Sequence, residues 1–340
     1  MTELMPVLAA IDWGQIITLT VSAAVGVEAV VFAMAAIGLN IHFGYTGLLN
    51  FGQVGFMAMG GYGVAISIVI WQLNPYLALG IGVLFALVLA LILGFPTLRL
   101  RADYLAIVTI AASEVIRIMA RSTTLRSWTR GAEGLNEFAG AFYSLSPFRR
   151  NLYSWGPFFF TGNNLFIILV GWVLVGLAAL LTWQLMRSPW GRVVRAIRED
   201  EDAARALGKN AYWYKLQALM LGGVLGGVAG MLQVIAKSTV QPDTFVPVIT
   251  FFIWTVLILG GVGRVWSPVV GAVIFWGLLA FVETTLRQLV ANGIIPSFIM
   301  NSNQVGIFRF ILVGLGLMLL MVYRPQGIFG SREEMALDAR

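Results

Sequence analysis

The residues able to do chemistry are few, and their types exclude most reactions. His42 is the only histidine and cysteine is absent, so no disulfide, thiolate site or multi-histidine metal site can form. There are no clustered Asp pairs, and no nucleophile, base and orienting group stand together as a triad. No Gly-x4-Gly-Lys-Ser/Thr loop occurs either, so ATP used by this protein would be hydrolysed on another chain. A lone histidine such as His42 more often serves a loop or helix interface than a ligand. The chain itself is expected to hold no metal and no cofactor.

Two segments remain informative. The run Gly44-Tyr45-Thr46-Gly47-Leu48-Leu49-Asn50-Phe51-Gly52-Gln53 is too polar and glycine-rich to continue a neighbouring apolar helix. Non-helical backbone at membrane depth survives only where it is buried in protein or lines a watery cavity. The run is therefore either a broken helix beside a translocation path, with Thr46, Asn50 and Gln53 offering hydrogen bonds, or a tight cytoplasmic turn. Residues 188–209 read as two short amphipathic helices with Val193, Ile197, Ala204 and Leu207 on apolar faces. Arg195–Glu199, Arg198–Asp202 and Glu201–Arg205 are spaced i,i+4, where side chains can pair, and Gly208 can end the second helix in the left-handed conformation. Apolar spacing within so much charge suits a helix lying in a partner's groove; a solvated loop is the plainer alternative.

Apolar helices must position both segments. Of 340 residues, 59% are hydrophobic and 11% charged, and the mean hydropathy is +0.86; soluble domains carry about 25% charged residues. This composition excludes a soluble enzyme, a nucleic-acid-binding domain and a disordered chain. The net charge of +6 fits basic cytoplasmic loops and not a nucleic-acid partner. A crossing helix needs about 20 mostly apolar residues, and nine runs qualify: 16–39, 54–71, 76–95, 104–121, 164–186, 213–236, 247–263, 268–290 and 305–323. The expected fold is an all-α integral membrane protein, one permease-like domain of about nine transmembrane helices.

Basic residues set the orientation. Loop 187–212 and its flank hold Arg187, Arg192, Arg195, Arg198, Arg205, Lys209 and Lys215, which places it inside. Alternation then puts Arg99, Arg101, Arg264 and the Arg324–Arg340 tail inside, the loop 122–163 with Arg126, Arg130, Arg149 and Arg150 outside, and the N-terminus outside. Residues 1–15 contain Glu3 and Asp12 but no Lys or Arg, so the first apolar run reads as a retained span and not a cleaved signal. Four spans on either side of 164–186 start on opposite faces, an arrangement open to inverted-topology repeats. Gly44–Gln53 would then correspond to Gln241–Phe245. Within the spans, Glu114–Arg117 and Glu283–Arg287 can neutralise each other, Glu28 has no evident partner, and Gly222, Gly223, Gly226, Gly227 and Gly230 permit close helix contact.

The run Gly44–Gln53 with Ala58-Met59-Gly60-Gly61-Tyr62 resembles the signature of LivM-type permeases, the branched-chain amino acid branch of bacterial ABC importers. So do Leu98-Arg99-Leu100-Arg101-Ala102-Asp103-Tyr104-Leu105-Ala106-Ile107, the stretch Gly191–Glu201 with Ala203, Ala204 and Gly208, and Gly260-Gly261-Val262-Gly263 with Pro268, Gly271 and Ala272. The similarity runs from about residue 30 to 330. It implies a permease subunit of the bacterial cytoplasmic (inner) membrane, paired with a LivH-like second permease, two ATPase subunits beneath, and an external substrate-binding protein. The family's coupling helix maps onto 192–208, giving Arg192, Arg195, Ile197, Arg198, Glu199, Asp200, Glu201, Ala203, Ala204, Leu207 and Gly208 as coupling residues. The path would lie near Gly44, Tyr45, Thr46, Gly47, Asn50, Phe51, Gly52 and Gln53. Where the family often has Thr-Gly-Gly-x-Asp-Gly, this chain reads Thr129-Arg130-Gly131-Ala132-Glu133-Gly134, and Ser267 replaces the usual glycine before Pro268. The first departure bears on outer-loop geometry and substrate, leaving branched-chain amino acids, urea and short amides open. A carrier working alone would instead need an intramembrane proton or sodium site, for which Glu28 is the one candidate. A membrane enzyme or an assembly scaffold is the remaining class, and no catalytic cluster supports an enzyme.

Overall fold

A computed structural model describes residues 12–98, 102–144, 146–148, 151–156, 158–295, 301, 304–324 and 326–330. Arg99, Arg101, Arg149, Arg150, Glu3 and the tail beyond 330, all used above for orientation, lie outside the described residues. So does part of the family-like run 98–107, at 99–101.

The chain opens with α1 (Trp13–Ala24) and α2 (Val27–Leu39), continued by a single π-helical turn, Asn40–Tyr45. The whole run is 33 residues; straight, it would be about 50 Å long, against a hydrocarbon core of roughly 30 Å. It breaks at Val25–Gly26, where the Trp172 indole N–H donates to the freed Val25 carbonyl at 2.9 Å. Next come α3 (Gln53–Val69), α4 (Pro75–Thr97) and α5 (Ala102–Arg121). Asn74 caps α4 by accepting from the Tyr76 amide at 3.0 Å, just ahead of Pro75 in the first helical turn.

After two one-turn helices, α6 (Arg126–Thr129) and α7 (Gly140–Tyr143), and the hairpin β2 (Leu152–Trp155) and β3 (Phe158–Thr161), the long α8 (Gly162–Arg187) crosses back. Strand β1 (Leu135–Asn136) lies between α6 and α7 and pairs antiparallel with β4 (Thr239–Val240), Leu135 opposite Val240. Two short helices, α9 (Pro189–Glu199) and α10 (Glu201–Ala206), lead into α11 (Ala211–Lys237). The chain closes with α12 (Val248–Gly260), α13 (Ser267–Ala291) and α14 (Val305–Tyr323).

The nine expected crossings are met in part. Among the described residues, seven helices are long and apolar enough to cross a membrane. Helix α3 has 17 residues and is buried along nearly its whole length by other helices, so protein replaces lipid around it. Helix α5 carries Glu114, Arg117 and Arg121 and is amphipathic, with Ile107, Val115 and Ile118 turned outward. The seven helices make this a multi-pass membrane protein.

Helix α11 is the axis. Seventy-two per cent of its apolar window is buried, against 12% for α14, and it packs on α2, α3 and α4. Its glycines meet glycines: a Cβ on Gly60 of α3 would overlap the Gly227 backbone, and one on Gly38 of α2 would overlap the Gly222 carbonyl and stand 2.9 Å from Gln53 Nε2. Small residues substitute for a hydrophobic driving force that lipid cannot supply, by letting backbones touch. Outside, α4 presents Leu77, Leu84 and Ile92, α8 presents Leu169, Val173 and Leu177, and α14 presents Ile307, Ile311, Met318 and Val322, all exposed and at helical spacing for lipid.

The ionisable residues are paired. Glu114 meets Arg117 at 2.6 Å, and Arg117 also reaches Asp243 at 3.1 Å. Glu283 holds Arg287 at 2.8 Å and a second, unforeseen partner, Arg309 of α14. Glu28, unpartnered in its own helix, meets Lys237 of α11 at 3.1 Å.

Gly60→Val should lower the thermal unfolding midpoint of the detergent-purified protein by several degrees, as overpacking costs about 1–3 kcal/mol. Gly176→Val, where a Cβ meets nothing within 4 Å, should leave it unchanged. Equal midpoints for both variants would contradict the α3–α11 contact.

Candidate functional site

The polar run after α2 does not break where its composition indicated. Gly44 and Tyr45 still belong to the π turn, and Gln53 already begins α3. The non-helical piece is 47–52, and it is a reversal packed inside the protein. The glycine that allows it is Gly47, at φ +72°, a left-handed conformation that other residues resist.

Its polar groups are satisfied within the chain. Thr46 Oγ1 donates to the Ile41 carbonyl at 2.8 Å, closing the π turn from behind, and the Leu48 amide donates to the His42 carbonyl at 2.8 Å. Asn50 Nδ2 donates to His42 Nδ1 at 3.0 Å and to Gln53 Oε1 at 2.9 Å, while Asn50 Oδ1 accepts from the Gly52 amide at 2.8 Å. His42 Nε2 lies 3.1 Å from the Leu219 carbonyl of α11. A carbonyl only accepts, so the proton sits on Nε2 and the imidazole is neutral with Nδ1 accepting. Gln53 Nε2 donates to Ala35 O of α2 at 3.3 Å and Gly222 O of α11 at 3.2 Å. Trp254 of α12 stacks on Phe51 at 4.8 Å and donates Nε1–H to the Asn50 carbonyl at 3.1 Å. His42, Asn50 and Gln53 are fully buried. The side chains expected to offer hydrogen bonds to a passing solute spend them tying α2, α3, α11 and α12 together.

The same end of the bundle carries α9 and α10, and part of the expected geometry holds. Two amphipathic helices form, Asp200 caps the second by accepting from the Ala203 amide at 2.9 Å, and Gly208 at φ +77° ends it. The apolar face, however, is turned inward. Val194, Ile197 and Ala204 are buried against Tyr45, Met186, Ala211 and Tyr214 of this chain. The face left outside is charged: Arg192, Glu199, Asp200 and Asp202 are exposed, together with Ala203, Gly208 and the 80% exposed Leu207.

Of the three expected ion pairs only Glu201–Arg205 forms, at 2.6 Å, and Lys215 also reaches Glu201. Arg195 instead donates to the Met186 carbonyl at the end of α8. Arg198 cannot pair with Asp202 because the extended Asp200 (φ −153°, ψ 104°) separates their helices; it donates to the Gly44 carbonyl. That contact, and Asn40's bridge to the α12–α13 loop, had no local sequence signal: Asn40 Nδ2 donates to Arg264 O at 2.9 Å and its Oδ1 accepts from the Gly263 amide at 3.0 Å. The loop is held again by Ser267 Oγ, which donates to Arg264 O at 3.2 Å and to Gly261 O. Behind it, the Ile328 and Phe329 amides donate to the last carbonyls of α12, at 3.0 and 3.1 Å.

At the opposite end, Thr129 Oγ1 donates to Ala120 O at 2.8 Å and accepts from the Gly131 amide at 3.2 Å. Glu133 faces Arg126 at 3.5 Å, and Gly134 at φ +70° lies against the Val240 carbonyl, where β1 meets β4. Tyr143 packs there too, donating to Ile235 O at 2.8 Å, with burial pushing its phenol above its usual range.

Residues 22–323 match the family described as branched-chain amino acid transport system / permease component. The chain belongs to this family. It is 30% identical over 308 residues to the high-affinity branched-chain amino acid transport system permease protein LivM of Escherichia coli K12, covering 88% of this chain and 67% of that one. It is 25% identical over 340 residues to the probable LivM of Methanocaldococcus jannaschii, covering 88% and 91%. A nucleoside ABC transporter permease, NupC of Lactococcus lactis, is 25% identical over 292 residues, covering 82% and 86%. The match spans every crossing helix from α2 to α14, along with α9 and α10.

Asn50→Leu removes the partners of His42 Nδ1, Gln53 Oε1 and the Gly52 amide together. Each buried group left unsatisfied costs about 1–3 kcal/mol, so the unfolding midpoint should fall well below that of the exposed control Glu199→Gln. A midpoint equal to the control would show that the network contributes nothing to stability.

Proposed function

We propose that this chain is a membrane-spanning subunit of an ATP-driven importer of branched-chain amino acids in a bacterial cytoplasmic membrane. The observation that carries the reading is the family match across residues 22–323, with relatives named as branched-chain amino acid permeases at 30% and 25% identity. In this reading α3 and α5 also cross, giving nine spans, with α3 shielded from lipid and the ionised groups of α5 gathered near Asp243 at the outer end. The two sets α2–α5 and α11–α14 form inverted repeats around the single crossing α8. Their helix lengths support this: a long first run of 33 residues (α1 through the π turn) or 27 residues (α11), a short helix of 17 or 13, then one of 23 or 25, then one of 20 or 19.

The basic end with α9 and α10 faces the cytoplasm and the end with β1 and β4 faces outward, which puts the N-terminus outside and the C-terminus inside. Two ATPase subunits dock against the charged face of α9 and α10, through Arg192, Glu199, Asp200, Ala203, Leu207 and Gly208. Glu201, Arg195, Ile197, Arg198 and Ala204 hold those helices to the bundle. A LivH-like second permease completes the pore, its path running beside the reversal at Gly44–Gln53, and an external binding protein delivers substrate against the outer loop that includes Thr129, Gly131, Glu133 and Gly134. This chain holds no cofactor, and its partners hydrolyse the ATP.

Because the chain has no cysteine, Leu207→Cys and Glu133→Cys each give a single thiol. In intact cells an impermeant thiol reagent should label Glu133→Cys and leave Leu207→Cys untouched; the reverse pattern overturns the orientation. Mild detergent extraction should bring two ATPases and a second permease with the chain, and Leu207→Asp should reduce ATPase recovery about tenfold, as expected for losing a central contact of 1–2 kcal/mol. In reconstituted vesicles with the full complex, leucine should compete with labelled substrate while urea, short amides and nucleosides should not.

A further inference from the structure

We propose that the π turn Asn40–Tyr45 is the relay through which α9 acts on the crossing helices, with Arg198 and His42 as its positioning residues. The proposal rests on the docking role given above to α9 and α10, and adds where in the fold their movement goes.

A π turn is a wide turn inside an otherwise α-helical run, rare and short because its hydrogen-bond geometry is poor. It is one residue away from regular helix. Closing it into α geometry would turn the chain beyond it by about 100° and shift it by about 1.5 Å. Such an element can take two discrete arrangements, which is what a coupled change needs.

Three separate segments grip this turn. From α9, Arg198 donates to the Gly44 carbonyl and its side chain lies over Gly47, while Val194, with Met186 at the end of α8, encloses Tyr45. From the α12–α13 loop, Gly263 and Arg264 hold both ends of the Asn40 amide, at 3.0 and 2.9 Å. From behind, Thr46 and Leu48 take the Ile41 and His42 carbonyls.

The turn in turn reaches the axis of the bundle. The His42 ring projects from it to Leu219 O of α11 and to Asn50, and Asn50 orients Gln53, whose amide bridges Ala35 of α2 to Gly222 of α11. At that level a Cβ on Gly222 would overlap both the His42 ring and the Gly38 carbonyl, so the ring cannot move toward α11 without pushing it against α2. A rigid displacement of α9 therefore pulls on Gly44 and Tyr45, and its first consequence inside the membrane is at the α2–α3–α11 contact.

The test uses the complete complex of both permeases, both ATPases and the binding protein in proteoliposomes, measuring ATPase recovery, ATP hydrolysis and leucine carried per ATP. Arg198→Met keeps the length of the side chain and removes its donors; it should retain its ATPases and carry about tenfold less leucine per ATP, the scale of one charge-assisted hydrogen bond. Arg198→Lys should recover part of that ratio. Thr46→Val, near-isosteric and on the far side of the turn from α9, should also lower the ratio with ATPases still bound.

Parental ratios in both Arg198→Met and Thr46→Val overturn the relay while leaving docking intact. Loss of ATPases from Arg198→Met overturns it as well, since the residue would then be a docking contact. Absence of ATPases from the parent complex overturns the docking role first, and the relay with it.

Discussion

A backbone reversal at 47–52 is built inside the packed bundle, away from the hydrogen bonds of water, and the rest of the structure follows from how that demand is met. Each amide or carbonyl left free at such depth costs several kcal/mol. The chain answers with three fully buried side chains, His42, Asn50 and Gln53, whose bonds end on carbonyls or amides of α2, α3 and α11. Satisfying the reversal and joining the helices are thus one act. The glycine contacts of α11 with α2 and α3 are the condition for it, because amide-length side chains span two helices only when backbones approach this closely.

The apolar architecture was legible because membrane helices advertise themselves by length. The gaps between the runs 54–71 and 76–95 and between 247–263 and 268–290 fall where Asn74-Pro75 and the loop 261–266 interrupt the helices. Helix count was less legible at α3, which is short and enclosed by other helices, and at α5, which carries Glu114, Arg117 and Arg121. The π turn was invisible: Asn40–Tyr45 has no composition that distinguishes a wide turn from an ordinary one, and only the positions of its partners fix it.

The site was legible as segments and not as contacts. The polarity of 44–53 and the amphipathic spacing of 188–209 were real, and both segments lie at the same end of the bundle, joined by Arg198 and Gly44. Which way each face points could not be read locally. The spacing of Ile197 and Ala204 states that an apolar face must be covered; whether a partner or the chain's own Ala211 and Tyr214 covers it depends on residues far along the sequence. The same holds for Glu28, whose counter-ion Lys237 lies on another helix.

Because α9 and α10 bury their oily side at home, whatever meets them from the aqueous phase meets mostly charge. Attractions of that kind are screened over about 8 Å in physiological salt and form quickly when the fields match. A joint made there would be a clutch more than a weld, engaging by electrostatic fit and releasing as ionic strength climbs, with Leu207 the apolar exception that stays bare when no counterpart is present.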